Sequence, residues 1–250
     1  MLKKRVLLGM LTPSSNTILE PVTSAMVAGL NGVSAHFGRF RVLEISLKGN
    51  ALGQFENAPL LTAARLLADA QVDVIAWNGT SAGWLGFDAD RELCQEITEV
   101  TGIPATTSTL ALAEAFEAVG ASKYALVSPY LHEIQEKIVA NFEKEGFSCV
   151  AERHLNDRGN FSFSEVTEAQ ISGMVREVAA VAPKVITTYC TNLRGAPAVA
   201  KLEQELGIPI FDSISVVVWK SLLLANVDPR GVKGWGRLFS DETLMRERDV

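Results

Sequence analysis

Short aliphatic runs alternate with longer segments of 3.6-residue periodicity along most of the chain. The short runs predict buried β-strands, and the longer segments predict amphipathic helices. This alternation is typical of parallel strands joined by right-handed helical crossovers. The predicted strands are Arg5–Leu11, Ser34–Val42, Val74–Trp77, Lys123–Val127, Cys149–His154 and Lys184–Thr188. The predicted helices are Ile18–Gly29, Ala58–Asp69, Arg91–Thr101, Thr109–Val119, His132–Lys144, Glu165–Val181, Ala198–Leu206 and Ser213–Ala225.

The second half of the chain repeats landmarks of the first half in the same order. Each half has a strand that leads into a Pro-containing polar turn, then a strand that ends in polar residues, then a Gly-Ile-Pro motif that opens a further short strand. The matched segments are Lys4–Ser14 with Lys123–Tyr130, Val74–Thr80 with Val185–Thr191, and Gly102–Pro104 with Gly207–Pro209.

The repeat predicts an α/β fold with two pseudo-symmetric, Rossmann-like (flavodoxin-like) parallel-sheet halves. We assign residues 1–112 to the first half, completed by the C-terminal segment 215–250, and residues 113–214 to the second half. Ligands of such sheets bind at the carboxyl ends of the strands, so the active site is expected in the cleft between the halves. The alternative is that βα units resemble one another only through common turn chemistry.

Composition narrows the classes of partner. The chain has 23 Lys and Arg against 29 Asp and Glu, a formal net charge of -6, without blocks of like charge. Nucleic acid and anionic membrane surfaces are therefore not expected as partners. The sequence leaves room for a homo-oligomer.

Cysteine usage and apolar runs bear on the compartment. Three widely spaced cysteines fit a reduced cytoplasmic protein better than a disulfide framework, and they lack the spacing of a metal site. The apolar stretch Val6–Leu11 is too short for a secretory signal, and the run Val216–Val227 is interrupted by Lys220. We expect a cytoplasmic protein with no metal.

Cys190 is the strongest candidate for chemistry. It follows a predicted strand at the position that Gly79 occupies in the first half, so one side of the cleft carries a thiol and the other only hydrogen. A thiol with an ordinary pKa near roughly 8.5 can transfer protons close to neutral pH. The alternative for any free cysteine is a small buried apolar residue, which we prefer for Cys94 and Cys149.

Hydroxyl and amide groups near this position could hold a carboxylate or an enediolate. Thr80, Ser81 and the backbone around Gly79 supply donors, and Tyr130 and Asn16 add a phenol and an amide. Ser15 or Asn16 could equally serve as a helix cap.

The segment Gly79–Gly83 also matches the GxSxG pattern of serine hydrolases, with Ser81 as nucleophile. A hydrolase needs a histidine later in the chain, and the last histidine is His154, far from the C-terminus. We keep this as a minor alternative. No P-loop or dinucleotide fingerprint is present, so no cofactor is expected.

Taken in order, these motifs resemble the aspartate/glutamate racemase superfamily, in the branch of arylmalonate decarboxylase and maleate cis-trans isomerase. The segments that carry the resemblance are Thr12–Thr17, Asn78–Ser81, Ser128–Tyr130, Leu155–Asp157, Thr188–Thr191 and Gly236–Phe239.

The resemblance implies site residues. Racemases and isomerases of this superfamily use two facing cysteines, and the matching positions here are Gly79 and Cys190. Gly-Thr-Ser with a lone second cysteine is similar to arylmalonate decarboxylase, whereas Ser14, Asn16 and Asn156 look more like the maleate isomerases, whose corresponding asparagines bind substrate carboxylates.

The primary hypothesis is a cofactor-independent decarboxylase of a substituted malonate or related small dicarboxylic acid. Cys190 would protonate an enediolate held by Thr80, Ser81, Tyr130 and the backbone N–H groups of Gly79, Cys190 and Thr191. A cysteine introduced at position 79 would then allow racemisation of the product. The alternatives are an isomerase similar to maleate isomerase or to Asp/Glu racemase, and a non-catalytic protein that binds small carboxylates.

Overall fold

Two four-stranded parallel sheets with flanking helices make up the fold. The computed structural model describes residues 5–42 and 57–245. The first sheet contains β1 (Val6–Pro13), β2 (Val33–Phe40), β3 (Val74–Trp77) and β4 (Ala105–Thr107). The second contains β5 (Lys123–Ser128), β6 (Ser148–His154), β7 (Val185–Thr188) and β8 (Ile210–Asp212). The helices are α1 (Leu19–Val27), α2 (Asn57–Asp69), α3 (Ala82–Leu85), α4 (Phe87–Thr101), α5 (Ser108–Ala118), α6 (His132–Lys144), α7 (Glu168–Ala179), α8 (Val199–Leu206) and α9 (Ser213–Leu224).

The two sheets have the same topology. Their strand orders are β2-β1-β3-β4 and β6-β5-β7-β8, and every pairing is parallel. The central pairs also match in register, with Leu11 beside Trp77 in one sheet and Val127 beside Thr188 in the other. The predicted α/β fold with two pseudo-symmetric halves is confirmed, and β4 and β8 are the short strands expected after the Gly-Ile-Pro motifs.

Most predicted elements form within a few residues of the expected bounds, and the larger differences have local causes. α4 begins at Phe87 because Gly86, with φ 110°, has a non-helical backbone conformation that separates α3 from α4. α7 begins at Glu168 because Thr167 and Gln170 form a reciprocal capping box there. The prediction for these two helices, from Arg91 and Glu165, was displaced, and α3 was missed.

Helices α5 and α9 join the halves. Phe116 on α5 packs against Tyr124 of β5 and Phe211 of β8, with ring centroids 5.3 and 6.3 Å apart, so a helix that follows the first sheet lies on the second. α9 follows the second sheet and contacts β3 and β4 of the first. The division at residues 112 and 214 falls inside these two helices, and the domain bounds themselves stay a prediction.

No helix in the described part of the chain is both long and apolar enough to cross a membrane. α9 is buried along most of its length because it packs between elements of both halves. Its apolar character is therefore explained by burial in the protein core.

A buried carboxyl group, that of Asp90, lies close to the junction of the halves. Asp90 on α4 is 2% exposed, and its Oδ2 atom has no hydrogen-bond partner within residues 5–42 and 57–245. Burial raises its pKa from 3.8 to about 7, an effect that the Thr107 and Thr109 hydroxyls partly offset. Thr109 continues the polar contact across the junction, since its hydroxyl lies 2.7 Å from the Tyr189 hydroxyl.

The raised pKa of Asp90 predicts a pH dependence of stability. A carboxyl whose pKa is higher in the folded state favours folding when protonated, and this advantage is lost as pH rises through its folded pKa of about 7. Between pH 5 and pH 8 the free energy of unfolding of wild type should therefore fall by roughly 2.5 kcal/mol more than that of the Asp90→Asn variant. Urea unfolding at a series of pH values measures the difference.

Asp88→Asn is the matched control, because Asp88 lies on the same helix with its side chain 87% exposed. This variant should keep the wild-type pH dependence. An Asp90→Asn curve parallel to that of wild type would show that the buried carboxyl is not the titrating group.

Candidate active site

A small pocket lies where the carboxyl ends of strands from both sheets meet. One part of its wall is apolar and the other carries hydroxyl, amide and thiol groups. Within the described residues no charged side chain lines it. The lining residues are Pro13, Val42, Trp77, Gly79, Thr80, Ser81, Trp84, Tyr130, Asn160, Cys190 and Thr191.

Cys190 is the thiol of this pocket. It follows β7 and is only 2% exposed, and the backbone N–H of Asn192 donates to its Sγ atom at 3.4 Å. Burial raises its pKa from 9.0 to about 12, although the Tyr130 hydroxyl beside it partly lowers it; Asp212 adds a smaller upward effect. The expectation of an ordinary thiol pKa was wrong, because it ignored desolvation. The thiol is protonated at neutral pH.

Tyr130 and Thr80 bring hydroxyl groups from the two halves together beside Cys190. The Tyr130 hydroxyl is hydrogen-bonded to Thr80 Oγ1, and its ring contacts Trp84 and Phe163 edge-on, with centroids 5.2 and 5.6 Å away. Burial raises the pKa of the Tyr130 phenol well above 10.0. Tyr130 is consequently a neutral hydrogen-bond donor in this pocket.

Further donors come from the loops after β3 and β7. Ser81 lines the pocket, and its hydroxyl bonds to no other described residue. Four backbone N–H groups in these loops also donate no hydrogen bond within the described residues. They belong to Gly79, Thr80, Cys190 and Thr191. These loops therefore offer N–H and O–H groups for an oxyanion from both halves.

Asn16 and Thr191 tie the two halves together across the cleft. Asn16 Nδ2 donates to the carbonyl and to the hydroxyl oxygen of Thr191, both at 3.1 Å, while Asn16 Oδ1 accepts from the N–H groups of Ile18 and Leu19. The Thr191 hydroxyl in turn donates to the Asn78 carbonyl at 2.9 Å. The Asn16 amide thus connects the loops and caps the N-terminal end of α1, as its capping alternative implied. A contact of Asn16 with substrate stays a prediction.

Ser14 and Asn156 lie outside the pocket lining in the described residues. The Ser14 hydroxyl is engaged with the backbone of Val42, at 3.3 Å from its carbonyl oxygen and 3.1 Å from its nitrogen. Asn156, at φ 58°, accepts from the His132 N–H and so caps α6. Their expected contact with substrate stays untested.

Sequence reasoning missed two lining residues that matter, Asn160 and Trp77. Asn160 brings an amide to the pocket, and its Nδ2 donates to the Ser15 hydroxyl at 2.9 Å. Trp77 and Trp84 form much of the apolar wall. Trp77 could have been found from the alternation of β3, which turns every second side chain to the same face.

The histidines do not supply a base for Ser81. His132 and His154 stack on each other with ring centroids 5.3 Å apart, and His36 bonds to Ser34 on β2. None of the three lines the pocket. Ser81 therefore lacks the partner that the serine-hydrolase alternative requires.

Metal chemistry has no visible basis in the described part of the chain. No group of three or more His, Cys, Asp or Glu side chains there is arranged to hold a metal ion.

Comparisons with known proteins agree with this geometry. A family model described as arylmalonate decarboxylase matches residues 51–239. The maleate isomerase of Pseudomonas putida is 27% identical over 245 residues, which cover 93% of this chain and 96% of that protein. The arylmalonate decarboxylase of Bordetella bronchiseptica is 26% identical over 181 residues, 71% of this chain and 75% of that protein.

A solved structure gives the same picture. The maleate cis-trans isomerase of Nocardia farcinica, a cysteine-to-serine mutant with a covalently bound succinylcysteine intermediate, superposes with a TM-score of 0.87 at 25% identity. The superposition covers 95% of this chain and 99% of that one. Since the family model spans well over half of the sequence, the chain belongs to the arylmalonate decarboxylase family, within the Asp/Glu racemase superfamily.

Proposed function

We propose that this enzyme is a cofactor-independent decarboxylase of a substituted malonate or a related small dicarboxylic acid. The observation that carries the proposal is a single buried thiol, Cys190, in a pocket that Gly79 also lines from the matching position of the other half; burial raises the pKa of this thiol, which favours its protonated form. Such a thiol is a proton donor in its resting state. It is a poor nucleophile, because attack requires the thiolate.

The two walls of the pocket suit the two carboxylates of a malonate differently. The donor-rich wall, with Ser81, Thr80 and Tyr130, holds the carboxylate that stays. The apolar wall, with Trp77 and Trp84, surrounds the carboxylate that leaves, where loss of hydration favours the uncharged product carbon dioxide. No charged residue of the described part lines the pocket, so neutral hydrogen-bond donors would hold the remaining carboxylate.

The reaction balances with these groups alone. The bond between Cα and the leaving carboxylate breaks, carbon dioxide departs, and the electron pair forms an enediolate with the remaining carboxylate. Cα then takes the Cys190 proton, which gives the monoacid and a thiolate. A proton from solvent restores the thiol, so each turnover consumes one proton overall.

An isomerase of the maleate type is the second candidate. It is favoured by the Pseudomonas putida relative, since that likeness extends over 93% of this chain. Isomerisation through a covalent cysteine intermediate would have to use Cys190 alone, because Gly79 has no thiol. Conversion of maleate to fumarate by the wild-type enzyme separates this candidate from the decarboxylase.

Removal of the thiol tests the decarboxylase directly. With a panel of substituted malonates, Cys190→Ala should reduce the rate of carbon dioxide release at least roughly 100-fold, because it removes the proton donor. Ser81→Ala should lower kcat by about 100-fold or more through loss of an oxyanion donor.

Cys94→Ala is the matched control, since Cys94 lies on α4 outside the pocket lining and should be dispensable. Carbon dioxide release that continues at the wild-type rate in Cys190→Ala would refute the role of the thiol. Fumarate formation from maleate without release of carbon dioxide from any malonate would favour the isomerase.

The raised pKa of Cys190 predicts its reactivity. The rate of alkylation by iodoacetamide should rise about tenfold per pH unit from pH 7 to pH 10 without levelling, because the thiolate fraction grows throughout that range when the pKa is about 12. Mass spectrometry of the Cys190 peptide gives the rate.

The same cysteine in the urea-unfolded chain is the control, and its rate should level off near the ordinary thiol pKa of roughly 8.5. A plateau below pH 9 in the native protein would mean that the thiol is ionised near neutrality and is a nucleophile rather than a resting acid.

A further inference from the structure

The position that faces Cys190 is closed by a neighbouring side chain. A Cβ atom built on Gly79 would lie within the indole of Trp77, overlapping Cζ2 and Cε2 and 2.6 Å from Cη2. Real Cβ atoms do not approach other atoms so closely. Any side chain at position 79 therefore requires Trp77 to move.

The backbone does not add a second obstacle. Gly79 is not among the glycines with positive φ, so an L-residue can adopt its conformation. The three atoms nearest to the built Cβ all belong to the Trp77 indole, which is therefore the main restriction at this position.

Trp77 is not free to swing aside. It is the last residue of β3, is 2% exposed, and packs against the Phe40 ring with centroids 4.9 Å apart. Its backbone is held in the sheet between Leu11 and Thr107. A buried ring that packs against Phe40 shifts only at the expense of packing contacts.

We propose that Trp77 is a specificity-determining residue, whose indole fills the space in which a side chain at position 79 would face Cys190. Proton transfer in the pocket is thereby confined to the Cys190 side. The consequence for chemistry rests on the proposed decarboxylase, whereas the steric part does not depend on the substrate.

This inference corrects the expectation that a cysteine at position 79 is enough to allow racemisation. The Gly79→Cys substitution places Cβ where the indole lies, so the new thiol cannot take its facing position while Trp77 is intact. A second thiol requires a smaller residue at position 77 as well.

A stability cycle tests the steric part without substrate. Gly79→Ala should lower Tm by roughly 5 °C or more in the wild-type background, because it overpacks the site. In the Trp77→Val background the same change should lower Tm by less than about 1 °C. Should Trp77→Val fold poorly, Trp77→Leu serves as the background.

Gly173→Ala is the matched control for the change from glycine to alanine. Gly173 lies on α7, and a Cβ built there meets no atom within 4 Å, so its Tm should not fall. Equal losses of Tm from Gly79→Ala in both backgrounds would overturn the proposal.

Exchange at carbon tests the chemical part. In D₂O, the Trp77→Val/Gly79→Cys double variant should exchange the α-proton of an enantiopure α-substituted monoacid, with racemisation, at least roughly tenfold faster than Gly79→Cys alone. Adding Cys190→Ala should abolish this gain, because racemisation needs a thiolate that removes the α-proton on one face and a thiol that delivers a proton on the other. NMR follows the exchange, and chiral chromatography follows the racemisation.

The outcomes separate the two proposals. Suppose that wild type decarboxylates malonates but the Trp77→Val/Gly79→Cys and Gly79→Cys variants exchange the α-proton equally slowly. That result would overturn the role of Trp77 in specificity. Wild type that decarboxylates none would refute the proposed function, and the Tm cycle would still decide whether Trp77 closes position 79.

Discussion

Burial of the polar groups in the cleft between the two halves is the constraint on which the proposed chemistry depends. Cys190, Tyr130, Thr80 and Ser81 are each at most 5% exposed. Burial raises the pKa of the thiol and of the phenol, which favours their neutral forms. A low local dielectric constant also strengthens hydrogen bonds from neutral donors to an oxyanion.

Hydrogen bonds join the two halves around the cleft. The bonds from Asn16 to Thr191 and from Thr191 to Asn78 connect the loops that line the pocket. Below the site, the Tyr189 hydroxyl bonds to Thr109 and donates to the Thr80 carbonyl at 3.2 Å. Tyr189 directly precedes Cys190, so the contact that joins the halves also orients the thiol.

The fold and the central residue could be predicted from the sequence because both depend on periodic features. Strands, helices and the internal repeat leave regular patterns, and the repeat alone places Cys190 opposite Gly79. Side-chain direction in irregular loops leaves no such pattern. Thus the structure adds Asn160 to the pocket lining, whereas the Asn156 amide accepts from the His132 N–H and its contact with substrate stays a prediction.

Two further features needed three-dimensional packing. The pKa of Cys190 depends on burial by residues far apart in sequence, and the closure of position 79 depends on the Trp77 ring resting against Phe40. The second feature explains more than the absence of a cysteine at position 79. The Trp77 indole occupies the space that a side chain at position 79 would need.

The stereochemistry of the product tests the central claim, that one thiol on one face completes the reaction, most directly. Wild-type enzyme acting on a prochiral α,α-disubstituted malonate with two different substituents in D₂O should give a monoacid with one deuterium at Cα and a single configuration, which chiral chromatography and mass spectrometry can measure. A racemic product would contradict the account, because it would require protonation from both faces or release of the enediolate to solvent.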